Sequence, residues 1–194
     1  MIKKIRCFGL IMFTSCAAIS ANEGFIEAKA GYFLPTNSRL KKNCSGSGIY
    51  GLEGNYQLWK YLYSWLGADY FTQSGHTQGQ HNHISMQIVR INAGLKCIYN
   101  RYHIRPYIGF GPQAAYLNTH VNSSYLIRKQ SNWGAGCILN GGVNMIISHS
   151  CILDFFSSYS WQTIDMHRTR HKKVIIHDAN ISGFTFGGAW GYRF

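Results

Sequence analysis

The ionisable residues of this chain fall into two groups with different chemistry within reach. The first follows an alternating spacing. Glu27, Lys29, Glu53, Asp69, Arg90, Lys96, Arg105, Asp154 and Arg193 stand at every-second-residue positions among small or polar neighbours. Acids and bases gathered on one confined face can pair as buried ions or line a narrow ion path. The second group crowds polar stretches. Arg39, Lys41 and Lys42 form one cluster, Arg128 and Lys129 a second, and Arg168, Arg170, Lys172 and Lys173 a third, interleaved with His167, His171 and His177. Clustered guanidinium and ammonium groups suit phosphates and anionic sugars. His81-x-His83, with His76, offers zinc-binding nitrogens, but no acid or cysteine stands beside them, and no metal or other cofactor is assigned. His149-Ser150 with Asp154, and His120 near Ser123 and Ser124, have the residue types of nucleophilic catalysis.

The elements that must position these residues show a period of two. In 24–34, Ile26, Ala28, Ala30, Tyr32 and Leu34 alternate with Glu27, Lys29 and Gly31. Similar alternation recurs in 49–58, 62–71, 85–97, 103–117, 133–145, 151–161 and 180–194, which predicts eight strands. On each, bulky apolar and aromatic residues share one face, while glycine, amides and charges share the other. A water-soluble core of Gly, Asn, Arg and Glu would be poor. A lipid-facing exterior around a polar interior fits better. Pro106 and Pro112 in the fifth segment argue for an irregular strand there, because proline lacks a ladder donor.

Residues 1–21 read as a secretory signal peptide. Lys3, Lys4 and Arg6 precede a short apolar stretch and then small residues, with cleavage expected after Ser20 or Ala21. Lipoprotein processing at Cys16 is a second reading, and a buried N-terminal helix a third. With the signal removed, the 19 basic residues fall to 16 against 7 acidic ones, a net charge of +9. That balance points to acidic partners. Export argues against nucleic acid as a partner, and no RNA-binding or zinc-finger spacing is visible. Export also permits disulfides. Cys44, Cys97, Cys137 and Cys151 remain, with three possible pairings. Cys97, Cys137 and Cys151 read mainly as small buried or lipid-facing hydrophobes, and Cys44 as the most reactive. After the signal no apolar stretch is long enough for a membrane helix. Hydrophobic content of 46%, 21 glycines and only 3 prolines therefore favour β-structure.

Short connections at 59–61, 99–102 and 146–150 alternate with long polar ones at 35–48, 72–84, 118–132 and 162–179. Outer-membrane barrels show that asymmetry, with tight periplasmic turns and long external loops. Tyr and Trp cluster near strand ends, as aromatic girdles do. This topology places His149, Ser150 and Asp154 at the periplasmic end, the wrong end for outer-leaflet chemistry.

The chain finishes Gly183-Phe184-Thr185-Phe186-Gly187-Gly188-Ala189-Trp190-Gly191-Tyr192-Arg193-Phe194. With Gly31-Tyr32-Phe33 and Pro106-Tyr107-Ile108-Gly109-Phe110-Gly111-Pro112, this resembles the small OmpA/OmpW-like outer-membrane β-barrel families. The resemblance implies an eight-stranded antiparallel up-and-down transmembrane barrel over 22–194, integral to the outer membrane. It also implies that Trp190, Tyr192 and Phe194 carry the signal read by the barrel-assembly machinery. Activity is not settled by it, since such families include adhesins, narrow channels and structural proteins.

The expected protein is thus a non-enzymatic barrel with a structural or surface-interaction role. Its partners would be outer-membrane lipids, lipopolysaccharide and anionic glycans, met through Arg168, Arg170, Lys172 and Lys173. A narrow channel for ions or small solutes is the first alternative, and an outer-leaflet lipid-modifying enzyme the second. In the lumen Asp69 is expected to meet Arg90, and Arg193 to reach Glu27 and Asp154.

Overall fold

The computed structural model describes residues 23–36, 46–76, 83–100, 103–123, 126–170 and 173–194. The signal segment, Cys44, His81, Ser124, Lys172 and the cluster at 39–42 lie outside the described residues. Nine strands are present among those described: β1 Gly24–Pro35, β2 Ser47–Gln57, β3 Leu62–His76, β4 His83–Ile98, β5 Ile104–Ser123, β6 Leu126–Ile146, β7 Cys151–Arg170, β8 Lys173–Asn180 and β9 Gly183–Arg193. Each pairs antiparallel with its predecessor up to β7, and β9 joins β7 to β1, closing the sheet. β8 pairs with the outer half of β7.

β8 and β9 are two lengths of one barrel stave. The register does not slip between them, since Thr163 faces Asn180 and Ser160 faces Gly183. The ladder is altered at Ile181-Ser182, where the Gln162 N–H donates to Ser182 Oγ at 3.1 Å and the Ser182 N–H to Asn180 Oδ1 at 2.8 Å. The barrel therefore has eight staves.

The alternation seen in the sequence separates inside from outside. Ile26, Tyr50, Leu52, Leu66, Ile91, Ile108, Phe110, Phe155, Phe186 and Trp190 are all exposed on the outer wall, while Glu27, Glu53, Arg90, Lys96 and Asp154 are buried within. Such an exterior is unstable in water and stable in hydrocarbon. Closure pairs every stave on both edges, which a bilayer demands.

The tight connections form where expected. At the first, the Leu62 N–H donates to the Trp59 carbonyl at 3.1 Å, and at the third the Ile147 N–H donates to the Cys151 carbonyl at 3.0 Å. Tyr61 and Tyr99 stack at 5.9 Å between ring centroids at this end, part of an aromatic girdle.

Two expectations need correction. Three of the four segments read as long polar loops carry ladder: β3 and β4 stay paired out to His76 and His83, β5 and β6 to Ser123 and Leu126, and β7 and β8 to Arg170 and Lys173; most of the first, 35–48, lies outside the described residues. In these stretches the sequence lacks the apolar contrast that marks a strand, although the backbone pairing continues. The fifth strand, expected to be irregular, runs unbroken. Pro106 lies beside the second turn, where its carbonyl accepts from the Tyr99 N–H at 2.9 Å. Around Pro112 the β4–β5 pairing lapses only between Asn92–Gln113 and Leu95–Phe110.

Glycines permit the tight curvature of so small a barrel. Gly31 faces Gly187 across β1–β9. Gly94 lies at the β4–β5 lapse, where a Cβ would strike the Phe110 carbonyl oxygen. At Gly187 a Cβ would strike the Ala30 carbonyl oxygen.

Candidate functional site: a layered lumen

The inward side chains form layers along the barrel axis. Nearest the long hairpins is an apolar layer of Phe33, Ile49, Phe71, Ile88, Ala115, Leu117, Ile164 and Ile181. Nearest the tight turns is a second, of Phe25, Tyr63, Ile98, Tyr107, Ile152 and Phe156. Most of these residues depart from the expectation that glycine, amides and charges share the inward face, although Tyr63 and Tyr107 alternate in register with Asp69 and Arg105. Phe33 carries apolar neighbours on both sides in sequence, Tyr32 and Leu34, which hides its inward position.

Between the layers lie the charges. Lys29 Nζ donates to Glu53 Oε2 at 2.7 Å, and Lys96 Nζ donates to Glu53 Oε1. Asn55 Nδ2 adds bonds to Glu53 Oε1 at 3.1 Å and to Glu27 Oε2 at 3.3 Å. Asp154 Oδ2 accepts from the Tyr107 hydroxyl at 2.9 Å. The lysines also lie against rings, Lys29 4.3 Å from the centroid of Phe156 and Lys96 4.4 Å from that of Tyr107.

Towards the long-hairpin end, Asp69 and Arg90 oppose each other on β3 and β4, with Arg90 Nη2 3.7 Å from Asp69 Oδ2. The Arg90 guanidinium lies 4.8 Å from the Phe71 ring centroid and 5.3 Å from that of Phe33. A chain of amides continues the network: Asn92 Nδ2 donates to Asp69 Oδ2 at 2.7 Å, and Gln113 Nε2 to Asn92 Oδ1 at 2.6 Å. A cavity of about 20 Å3 lies beside Lys29, Asp69, Arg90 and Asn140, enough for about one water.

At the tight-turn end the pairing differs from expectation. Arg193 does not join Glu27 or Asp154. It stands opposite Phe25, at the rim, with Nη1 3.6 Å from Glu23 Oε1 and Nε donating to the His149 carbonyl at 3.0 Å. Glu27 lies one pleat deeper, opposite Gly191. Arg105 Nη1 also reaches Glu23 Oε1, at 2.6 Å. Glu23 is not among the alternating charges picked out in the sequence. Its even spacing from Glu27 was the available signal for an inward role.

No hydrogen bond among the described residues joins His149 to Asp154: His149 is exposed at a turn, and Asp154 is fully buried and bound to Tyr107. Cys97, Cys137 and Cys151 are free thiols, Cys97 on the outer wall. No group of three metal-ligating side chains occurs among the described residues. The backbone of Arg168, Arg170 and Lys173 runs in the β7–β8 hairpin, and where their side chains point lies outside the description. Trp190, Tyr192 and Phe194 are all exposed on the outer wall.

No protein-family profile and no curated protein sequence matches the chain. Solved structures do. The outer membrane protein OprG from Pseudomonas aeruginosa superposes with a TM-score of 0.68 at 14% identity, covering 90% of this chain and 96% of that one. Outer Membrane Protein W of E. coli matches with 0.55 at 17% identity, over 90% and 98%. Ail, the attachment invasion locus protein of Yersinia pestis, solved with the heparin analogue sucrose octasulfate, matches with 0.57 at 13% identity, over 89% and 99%. Together with the apolar outer wall and the paired, layered interior, these likenesses give the chain the fold of the small eight-stranded OmpA/OmpW-like outer-membrane β-barrels.

Proposed function

We propose that this outer-membrane barrel is a closed, non-enzymatic scaffold that presents basic hairpins at the cell surface. The observation that carries this reading is the filled lumen. Its acids Glu23, Glu27, Glu53, Asp69 and Asp154 match in number its bases Lys29, Arg90, Lys96, Arg105 and Arg193, and apolar layers seal the central charges at both ends. An eight-stranded barrel is only wide enough for its side chains to fill it. Ions crossing it would have to break buried pairs, at a cost of several kcal/mol for each ion exposed.

With the lumen serving as a plug, interaction falls to the hairpins. Arg168, Arg170 and Lys173, whose backbone runs in the β7–β8 hairpin, and Lys172 between them in sequence supply anion-binding groups for lipopolysaccharide phosphates or anionic glycans. The solved complex of Ail with a heparin analogue makes polysulfated sugar a sensible first probe. Trp190, Tyr192 and Phe194 serve as the recognition strand for barrel assembly.

Two measurements test the reading. In planar bilayers the refolded protein should show no discrete conductance steps; steady single-channel currents would replace the plug with a channel. Heparin and lipopolysaccharide retention should fall when Arg168, Arg170, Lys172 and Lys173 are all changed to Gln. Unchanged retention removes the hairpin from the account.

A further inference from the structure

The tight-turn end of the barrel carries hydrogen-bond donors that the plug does not use. Arg105, near the start of β5, and Arg193, the last residue of β9, share a single carboxylate oxygen, Glu23 Oε1. The other oxygen of Glu23 faces the Tyr63 hydroxyl at 3.5 Å. One acid thus serves two guanidiniums, and the Nε of Arg105 is buried without a hydrogen-bond partner. A cleft of about 510 Å3 opens here, lined by both arginines and by Asn100, His103, Ser148 and His149. His103 and His149 are exposed, and Lys60, in the first tight turn, adds a further exposed base at this end.

Glu23 cannot saturate this set. Its one shared oxygen meets Arg105 closely and Arg193 only at 3.6 Å. A phosphate presents three or four oxygens in different directions, and guanidinium donors match them in pairs. We propose that this periplasmic mouth is a binding site for a phosphate-bearing anion, held by Arg193 and Arg105 with His103 and His149 as further donors. Two sources share that chemistry: the headgroup of an inner-leaflet phospholipid, and a free phosphate ester in the periplasm. The site lies at the opposite end from the β7–β8 hairpin and stands whether or not that hairpin binds glycans.

The test uses the mature barrel refolded in octyl glucoside, a detergent without phosphate. Inorganic phosphate and glycerol phosphate are titrated while the amide resonances of Ser148, His149, Ser150 and Arg193 are followed. A saturable shift confined to this end is expected, with chloride at equal ionic strength giving none. Arg193→Gln should weaken binding about tenfold, the loss of one charge-assisted hydrogen bond. The paired change His103→Gln with His149→Gln, on exposed turn residues, should weaken it as well, and keeps the test valid if the arginine variant folds poorly. Unboiled electrophoretic mobility reports folding of both. The same resonances in phospholipid nanodiscs separate the sources. Signals already at their saturated positions identify the lipid headgroup, and signals that move only on adding free phosphate identify the soluble ester. No saturable shift in either setting, or equal affinity in all variants, overturns the site.

Discussion

The Tyr107 hydroxyl donates to Asp154 Oδ2 at 2.9 Å, joining β5 to β7, which are not ladder neighbours. The bond passes over β6 on the inner face of the barrel. Both residues are buried, and it gives Asp154 its only hydrogen bond among the described contacts, since Oδ1 has no partner. Tyr107→Phe keeps the ring in its apolar layer but leaves the carboxyl without a donor. Urea unfolding of the barrel in lipid vesicles should show a loss of about 1–3 kcal/mol, the cost of an unsatisfied buried polar group. Tyr50→Phe, on the outer wall and 66% exposed, is the control and should stay within about 0.5 kcal/mol of the parent.

Glu53 is the hub of the charged layer, because Lys29 and Lys96 both donate to it. Glu53→Gln leaves two buried ammonium groups facing one neutral amide. Breaking a buried pair by removing one partner costs about 3–5 kcal/mol. Lys96→Met removes one of those groups, so the double variant should lose less than the two single losses added together, with a coupling of about 0.5–3 kcal/mol. Strict additivity in the same urea series would show that the three residues do not act as a unit.

What the sequence made legible was set by contrast. Where lipid lies on one side and packed polar groups on the other, period two is sharp, and the inward positions of Glu27, Glu53, Asp69, Arg90 and Lys96 follow from it. The Asp69–Arg90 contact follows too, because a hairpin fixes the register of its two strands. Where contrast is lost, the reading failed. The outer hairpins carry no such contrast in their sequence and read as loops. Phe33 and Phe71 are apolar residues on the polar face and went unmarked as a layer. The partner of Arg193 depends on the stagger at which β9 closes against β1, a long-range quantity that no local pattern encodes.

Glycine positions separate curvature from mere tolerance. A Cβ at Gly111 would strike the Ala93 carbonyl oxygen, and one at Gly187 the Ala30 carbonyl oxygen. Both obstacles are backbone of the adjoining strand and cannot swing aside. Gly111→Ala and Gly187→Ala should each cost about 1–3 kcal/mol through forced strand separation. The compact unboiled band should then form in lower yield on refolding. Gly54 meets nothing within 4 Å of its would-be Cβ. Gly54→Ala should match or exceed the parent, by about 0.4–1 kcal/mol, through a less flexible unfolded chain. Equal yields for all three variants would remove the steric reading of the inward glycines.

The terminal aromatics separate folding from assembly. Trp190, Tyr192 and Phe194 are 62%, 58% and 65% exposed on the outer wall, so they contribute little to packing within the barrel. Replacing Phe194 with Ser leaves the Phe194–Gly24 backbone bonds in place, at 2.9 and 3.1 Å. Refolding into detergent should therefore still reach the compact form, at a loss of no more than about 1.5–3 kcal/mol for one ring removed from apolar surroundings. In cells the outcome should differ. If the aromatic row is what the assembly machinery reads, the heat-shifted band in the outer-membrane fraction should fall while unfolded chain accumulates. Equal incorporation in cells alongside equal refolding in vitro would mean that Phe194 is an ordinary lipid-facing residue, and the recognition role would pass to another part of the chain.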